Sequence, residues 1–177
     1  MLKNKSILLV ITGGIAAYKS LDLIRQYRKA GAAVKAIITK GGEQFVTPLS
    51  VSALCEHQAY TDLWSLKDEA EMGHIRLSRE ADFIVVAPAS ADFIAKLAQG
   101  RADDLASTCL LASDKDILLA PAMNHKMWEN PATQKNITTL QKRGLNIIGP
   151  ENGEMACGET GFGRMSEPDT IFEETAS

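Results

Sequence analysis

The chain of 177 residues has little of what several protein classes need. It has three cysteines, odd in number and widely spaced, which excludes a disulfide framework. No histidine pair joins cysteines at metal-ligand spacing, so no metal site is expected. Lys and Arg total 19 against 22 Asp and Glu, a net charge of −3, and no dense basic stripe is present to neutralise a nucleic-acid backbone. No apolar run is long enough to cross a bilayer, and no small-residue cleavage site follows the first one, which ends at Gly13. Repeats and low-complexity tracts are missing too. The expectation is a cytoplasmic, reduced protein with a small-molecule partner, and neither nucleic acid nor membrane.

What is present is an ordinary globular composition, 45% hydrophobic and 23% charged, at a length suited to one domain. Nearly continuous apolar runs at 7–11, 34–39, 83–87, 117–120 and 146–148 read as strands covered on both faces. Segments 15–30, 43–56, 91–99, 103–112 and 132–143 read as helices, the first and last stopped by Gly31 and Gly144. The stretch 58–71 is ambiguous, and 73–80 suits a short helix. This alternation implies a doubly wound parallel α/β sheet of three layers, with ligands beyond the carboxyl ends of the strands. From Pro150 the pattern changes: PENGEMACGETGFGRMSEP is glycine-rich and aperiodic, so a long loop is expected over 150–166.

The first strand end, ILLVITGGIAAYKS, comes close to a triphosphate-binding loop, with Gly13 and Lys19-Ser20 correctly spaced. Tyr18 occupies the second glycine position, where a side chain obstructs the wrap around a β-phosphate. Small residues before a helix N-terminus still favour an anion, and an unliganded tight turn fits this segment equally well. Ser90, in APASAD, suits a helix cap or a ligand contact. Asn124, in PAMNHKMWENP, offers a donor and an acceptor to a carboxylate or ring edge. Met123, Met127 and Trp128 recur there at helical spacing, a pattern that core packing also explains. His74 is the best acid–base candidate; His57 and His125 read as solvated surface side chains. Cys55 and Cys109 sit among apolar neighbours, as small buried residues do. Cys157 lies in the glycine-rich segment, where a mobile thiol can carry a proton or an idle exposed cysteine can sit. Arg164 follows as a charge for an anionic substrate.

Taken in order, GGIAAYK, MGHIRLSREADFIVVAPASADFIAKLAQGRADDLASTCLLA, PAMNHKMWENP and ACGETGFGRM resemble the flavin-dependent cysteine decarboxylases over nearly the whole chain. The resemblance implies a flavodoxin- or Rossmann-like fold, a single FMN-binding domain over 1–177, and homotrimers that assemble further into dodecamers. It implies FMN contacts at Gly13, Gly14, Ile15, Thr39, Lys40, Ser90, Ala91, Asp92, Phe93 and Ala122. It makes His74 the base of an oxidative half-reaction, Asn124 the holder of the substrate carboxylate, and Cys157 the proton donor of a reductive half-reaction. Met127, Ala156, Gly158 and Arg164 become substrate contacts, the last three in a covering loop. The last two motifs resemble those of the members that act on phosphopantothenoylcysteine in coenzyme A biosynthesis, which are often fused to a downstream ligase. In that chemistry, oxidation to a thioaldehyde precedes loss of carbon dioxide, and the enethiol is then reduced.

Two other readings stay open. Lantibiotic-type decarboxylases of peptidyl cysteine share the His and the Asn motif but stop at the enethiol and lack the cysteine loop. A flavin-binding regulatory subunit would need neither His74 nor Cys157.

Overall fold

The computed structural model describes residues 2–64 and 73–177. Five parallel strands, β1 (Ser6–Ile11), β2 (Ala33–Ile38), β3 (Phe83–Ala89), β4 (Asp116–Pro121) and β5 (Asn146–Ile147), lie in the order β2-β1-β3-β4-β5. The described helices are α1 (Ala17–Lys29), α2 (Pro48–Cys55), α3 (Gly73–Glu80), α4 (Ala91–Gln99), α5 (Leu105–Leu111), α6 (His125–Glu129), α7 (Pro131–Lys142) and α8 (Pro168–Ala176). A separate antiparallel pair joins β6 (Glu151–Glu154) to β7 (Thr160–Arg164).

The strand runs are continuously apolar because both faces of the sheet are covered. Ile7, Leu9 and Ile11 of β1 pack with Leu23, Ile24 and Tyr27 of α1, while Leu8 and Val10 pack with Leu77 of α3 and Ile94 of α4. The result is the expected three layers in one domain. Helix α8 closes the first face: the Tyr27 hydroxyl lies 2.8 Å from Thr175 Oγ1, and its ring meets Phe172 at 5.7 Å. Gly31 and Gly144 follow α1 and α7 in left-handed conformations, φ +85° and +90°, as their stop roles require. Among the described residues no helix is long and apolar enough to cross a membrane, and no cluster of three metal-ligating side chains occurs.

Three segments differ from the sequence-based expectation. The helix read over 43–56 is split into a 3-10 turn, Gly42–Gln44, and α2, whose first amides are capped by Thr47. Pro48 holds the preceding residue out of the helical region, so the helix starts there. The turn needs glycine at Gly42, where a Cβ would lie 2.5 Å from the Ile11 carbonyl oxygen. The long loop expected over 150–166 is a β-hairpin, followed by α8. Apolar alternation is missing from β7 because its glycines lie close against neighbours and leave no room for side chains: Met123 N donates to Gly163 O at 3.0 Å, and the His125 ring lies against Gly161. In the ambiguous stretch 58–71, Tyr60 bridges the outer edge of β2, and residues 65–71 lie outside the described residues.

Candidate active site

The strand order reverses between β1 and β3, and an open α/β sheet binds ligands outside the strand tips at that point. One side chain locks these tips together. Thr12 Oγ1 donates to the Pro88 carbonyl at 2.6 Å and accepts from Ser90 N at 2.9 Å. Ser90 Oγ in turn accepts from Phe93 N at 3.2 Å and caps α4, so the capping role holds. Beyond the tips opens a cleft of about 950 Å³, in the range of small-molecule sites.

The cleft gathers most of the expected site residues. Gly13, Gly14 and Ile15 line it from β1, Ser90, Ala91 and Asp92 from β3, and Ala122, Asn124 and Met127 from β4 and α6. The hairpin contributes Ala156, Cys157 and Arg164. Met123, Met155 and Met165 add polarisable apolar walls that the sequence reading did not assign. At the floor, the amides of Gly14, Ile15 and Ala16 have no acceptor among the described residues, and the N-cap Ala16 supplies no side-chain oxygen. These donors at the head of a 13-residue helix could hold an anion.

The Lys-Ser pair that suggested a triphosphate loop is committed elsewhere. Ser20 is fully buried and donates to the Ala87 carbonyl at 2.6 Å, so it offers nothing to a magnesium ion. Lys19 Nζ lies 2.6 Å from Glu167 Oε1, which also accepts from Arg164 Nη2 at 3.0 Å. The hydrogen bond from Lys19 holds the Glu167 carboxyl below its ordinary range, against a smaller opposing effect of burial. This ion cluster ties α1 to the end of the hairpin.

On the opposite rim, Asn124 Oδ1 accepts from Lys126 N at 2.8 Å and caps α6. That bond fixes the amide plane and turns Nδ2 toward the hairpin, where it meets Glu159 Oε2 at 2.5 Å and Cys157 Sγ at 4.0 Å. Cys157 is exposed and lines the cleft, while Cys55 and Cys109 are buried. Burial pushes the Cys55 thiol up to about 11, and Cys109 donates to the His74 carbonyl at 3.3 Å.

Five expected site residues do not line the cleft. Thr39 Oγ1 accepts from Gly42 N, Lys40 is exposed, Phe93 is in the core, and Gly158 is at the exposed hairpin turn. His74 sits on the first turn of α3, which packs on α5. His125 is a correction: both ring nitrogens are covered and unpartnered, not solvated. It packs under Gly161, where a Cβ would lie 2.9 Å from the His125 ring. Glu159 and Glu167 were missed; no periodicity marks either, because each gains its partners only when the hairpin folds back.

Strand tips, free helix amides and sulfur-rich walls define an α/β protein that seats an anionic, ring-bearing ligand at its sheet reversal. The chain belongs to the flavoprotein family, whose sequence profile matches residues 1–177. It is 52% identical over 171 residues to the coenzyme A biosynthesis bifunctional protein CoaBC of Haemophilus influenzae, covering 97% of this chain and 43% of that one. With CoaBC of Escherichia coli K12 it shares 45% over 172 residues, 97% and 42% of the two chains. The chain thus spans about two fifths of the length of these relatives. Among solved structures it superposes on a cysteine-to-serine mutant of PPC decarboxylase complexed with pantothenoylaminoethenethiol, with TM-score 0.86, 32% identity and coverage of 98% and 97%. The FMN binding protein AtHal3 gives TM-score 0.87 at 34% identity, covering 98% and 96%.

Proposed function

We propose that the chain is an FMN-dependent decarboxylase that converts phosphopantothenoylcysteine to phosphopantetheine in coenzyme A biosynthesis. The observation that carries this is the meeting of Asn124 and Cys157, 4.0 Å apart, over a cleft at the β1–β3 reversal. The cleft fits FMN: the amides of Gly14, Ile15 and Ala16 suit its phosphate, and Met123, Ala91 and Ala122 suit a flat ring. When bound, FMN supplies a two-electron oxidant for the cysteinyl carbon–sulfur unit and returns those electrons after carbon dioxide leaves.

The chain's own residues bind, orient and move protons. Asn124 donates from Nδ2 to the substrate carboxylate, held in register by its Oδ1 bond to Lys126 N. Cys157, on the hairpin above, delivers the proton that the enethiol needs to become the saturated thiol. Support comes from the relative solved as a cysteine-to-serine mutant complexed with an ethenethiol, which pairs the loss of a cysteine with that kind of compound. Arg164 presents charge to an anionic substrate from the ion cluster with Glu167. His74, the assigned base, sits off the cleft of its own chain, so we assign it to the cleft of a second copy. The exposed Ile15 and Tyr18 at the rim and the exposed Leu49 of α2, at 60%, 59% and 80%, support burial in a homotrimer, assembled further into a dodecamer. A ligase segment in the same polypeptide and a cytoplasmic location complete the proposal.

The test is a visible spectrum of the purified protein, then carbon dioxide release with phosphopantothenoylcysteine. A yellow protein that forms phosphopantetheine supports the reading. Release of carbon dioxide from cysteine-ended peptides instead would favour the peptidyl-cysteine reading, and a yellow protein without turnover the regulatory one.

A further inference from the structure

Glu159 stands where a substrate carboxylate is expected. Its Oε2 accepts from Asn124 Nδ2 at 2.5 Å and lies 3.9 Å from Cys157 Sγ. The Asn124 amide cannot turn away, because its Oδ1 is held by Lys126 N. The hairpin turn that carries Glu159 is itself closed by Met155 N on Glu159 O at 2.9 Å and Gly158 N on Met155 O at 2.8 Å. One carboxylate oxygen therefore sits between the residue assigned to bind a carboxylate and the residue assigned to donate a proton.

Building on the functional reading above, we propose that Glu159 is a positioning residue that occupies Asn124 Nδ2 as an internal stand-in for the substrate carboxylate and is displaced by it. Two carboxylates drawn to the same amide nitrogen at these distances repel, so substrate binding is an exchange. Before the exchange, Glu159 keeps the hairpin over the cleft, while the Lys126 amide keeps Asn124 in its binding rotamer. During it, Glu159 swings to solvent, which is open to it because the residue is exposed. The Cys157 thiol is then left facing the substrate. Once carbon dioxide departs, Nδ2 loses its ligand and Glu159 returns, which favours release of a product that has no carboxylate.

The experiment uses the flavin-loaded oligomer and two ligands that do not turn over. Phosphopantothenoylserine keeps the carboxylate and has a hydroxyl for the thiol; phosphopantetheine has the thiol and no carboxylate. Calorimetric titration of Glu159→Ala should give phosphopantothenoylserine a Kd about fivefold lower than wild type, an exposed charge-assisted hydrogen bond having been removed from the competition. Glu159→Gln, still an acceptor but neutral, should fall between the two. The Kd for phosphopantetheine should stay the same or rise. Weaker binding of both ligands would mark Glu159 as a merely structural hairpin residue and overturn the proposal, as would equal affinities in all three proteins. If wild type binds neither ligand while its flavin spectrum is intact, the functional reading fails, and the stand-in role fails with it.

Discussion

Thr12 and Pro88 are joined by a 2.6 Å hydrogen bond from the threonine hydroxyl to the proline carbonyl, across the tips of β1 and β3. The same hydroxyl accepts from Ser90 N, so one atom sets the spacing of the two strand ends that flank the cleft. Thr12 is 1% exposed, so its hydroxyl is shielded from water and committed to these two partners. Thr12→Val keeps the shape, leaves Ser90 N without its acceptor, and leaves the Pro88 carbonyl only its longer bond from the Thr12 amide at 3.3 Å. The expected loss is about 2 kcal/mol of stability, read from the urea midpoint, with flavin released at lower denaturant than the sheet unfolds.

Gly163 marks how closely the hairpin rides on the segment after β4. A Cβ there would lie 2.2 Å from the Met123 carbonyl oxygen and 2.8 Å from Met155 Sδ. Backbone cannot move aside as a side-chain end can, so Gly163→Ala should undock the hairpin at a local expense of about 1–3 kcal/mol. Hydrogen exchange of the Met123 amide, which donates to Gly163 O, should quicken about tenfold or more. The five-stranded sheet should melt near its wild-type temperature, because the hairpin lies outside both apolar clusters apart from Met165 beyond its end.

The sheet was legible because a doubly covered strand leaves a plain record, and all five runs fall on β1–β5. The free amides at the head of α1 were legible for the same local reason, a small-residue turn before a helix. Thr47-Pro48 does carry the start of α2, as a capping residue before a proline at the first helical position, and the apolar content upstream of it obscured that signal. Pro168 likewise opens α8, and Ile171 and Thr175, one turn apart, bury its inner face. The hairpin was not legible, because its inner positions are glycines pressed on the Met123 backbone and the His125 ring. Glu159, Glu167 and His125 were hidden for a different reason: their roles come from partners 35 and 148 residues away, or from a cover such as Gly161, that only the folded chain brings near.

Glu167 should give the hairpin anchor a pH dependence of definite sign. Its carboxyl is held low in the fold, chiefly by the hydrogen bond from Lys19 and also by Arg164. A lowered folded value means that the contribution is present above the ordinary glutamate value of about 4.3 and is lost as pH falls through the folded value. Its side chain is 46% exposed, so solvent screening keeps the contribution to about 1 kcal/mol or less. Glu167→Gln should therefore be slightly less stable than wild type at pH 7. Thermal unfolding across pH 6 to 3 should show that gap closing, as wild type also becomes neutral at this position.

His74 and Cys157 offer a test of whether two copies share one cleft. Cys157 lines the cleft of its own chain and His74 does not. Under the proposed chemistry, Cys157→Ser should still release carbon dioxide and accumulate the enethiol, while His74→Asn should retain yellow flavin and release none. Neither homo-oligomer forms the saturated thiol. When the two variants are unfolded together and reassembled, some clefts receive an intact Cys157 from the His74→Asn chain and an intact His74 from its neighbour. Phosphopantetheine formation should then return to a fraction of the wild-type rate, set by the share of mixed neighbours. If each His74 served only its own chain, no cleft in the mixture would hold both groups, and the saturated thiol would stay absent.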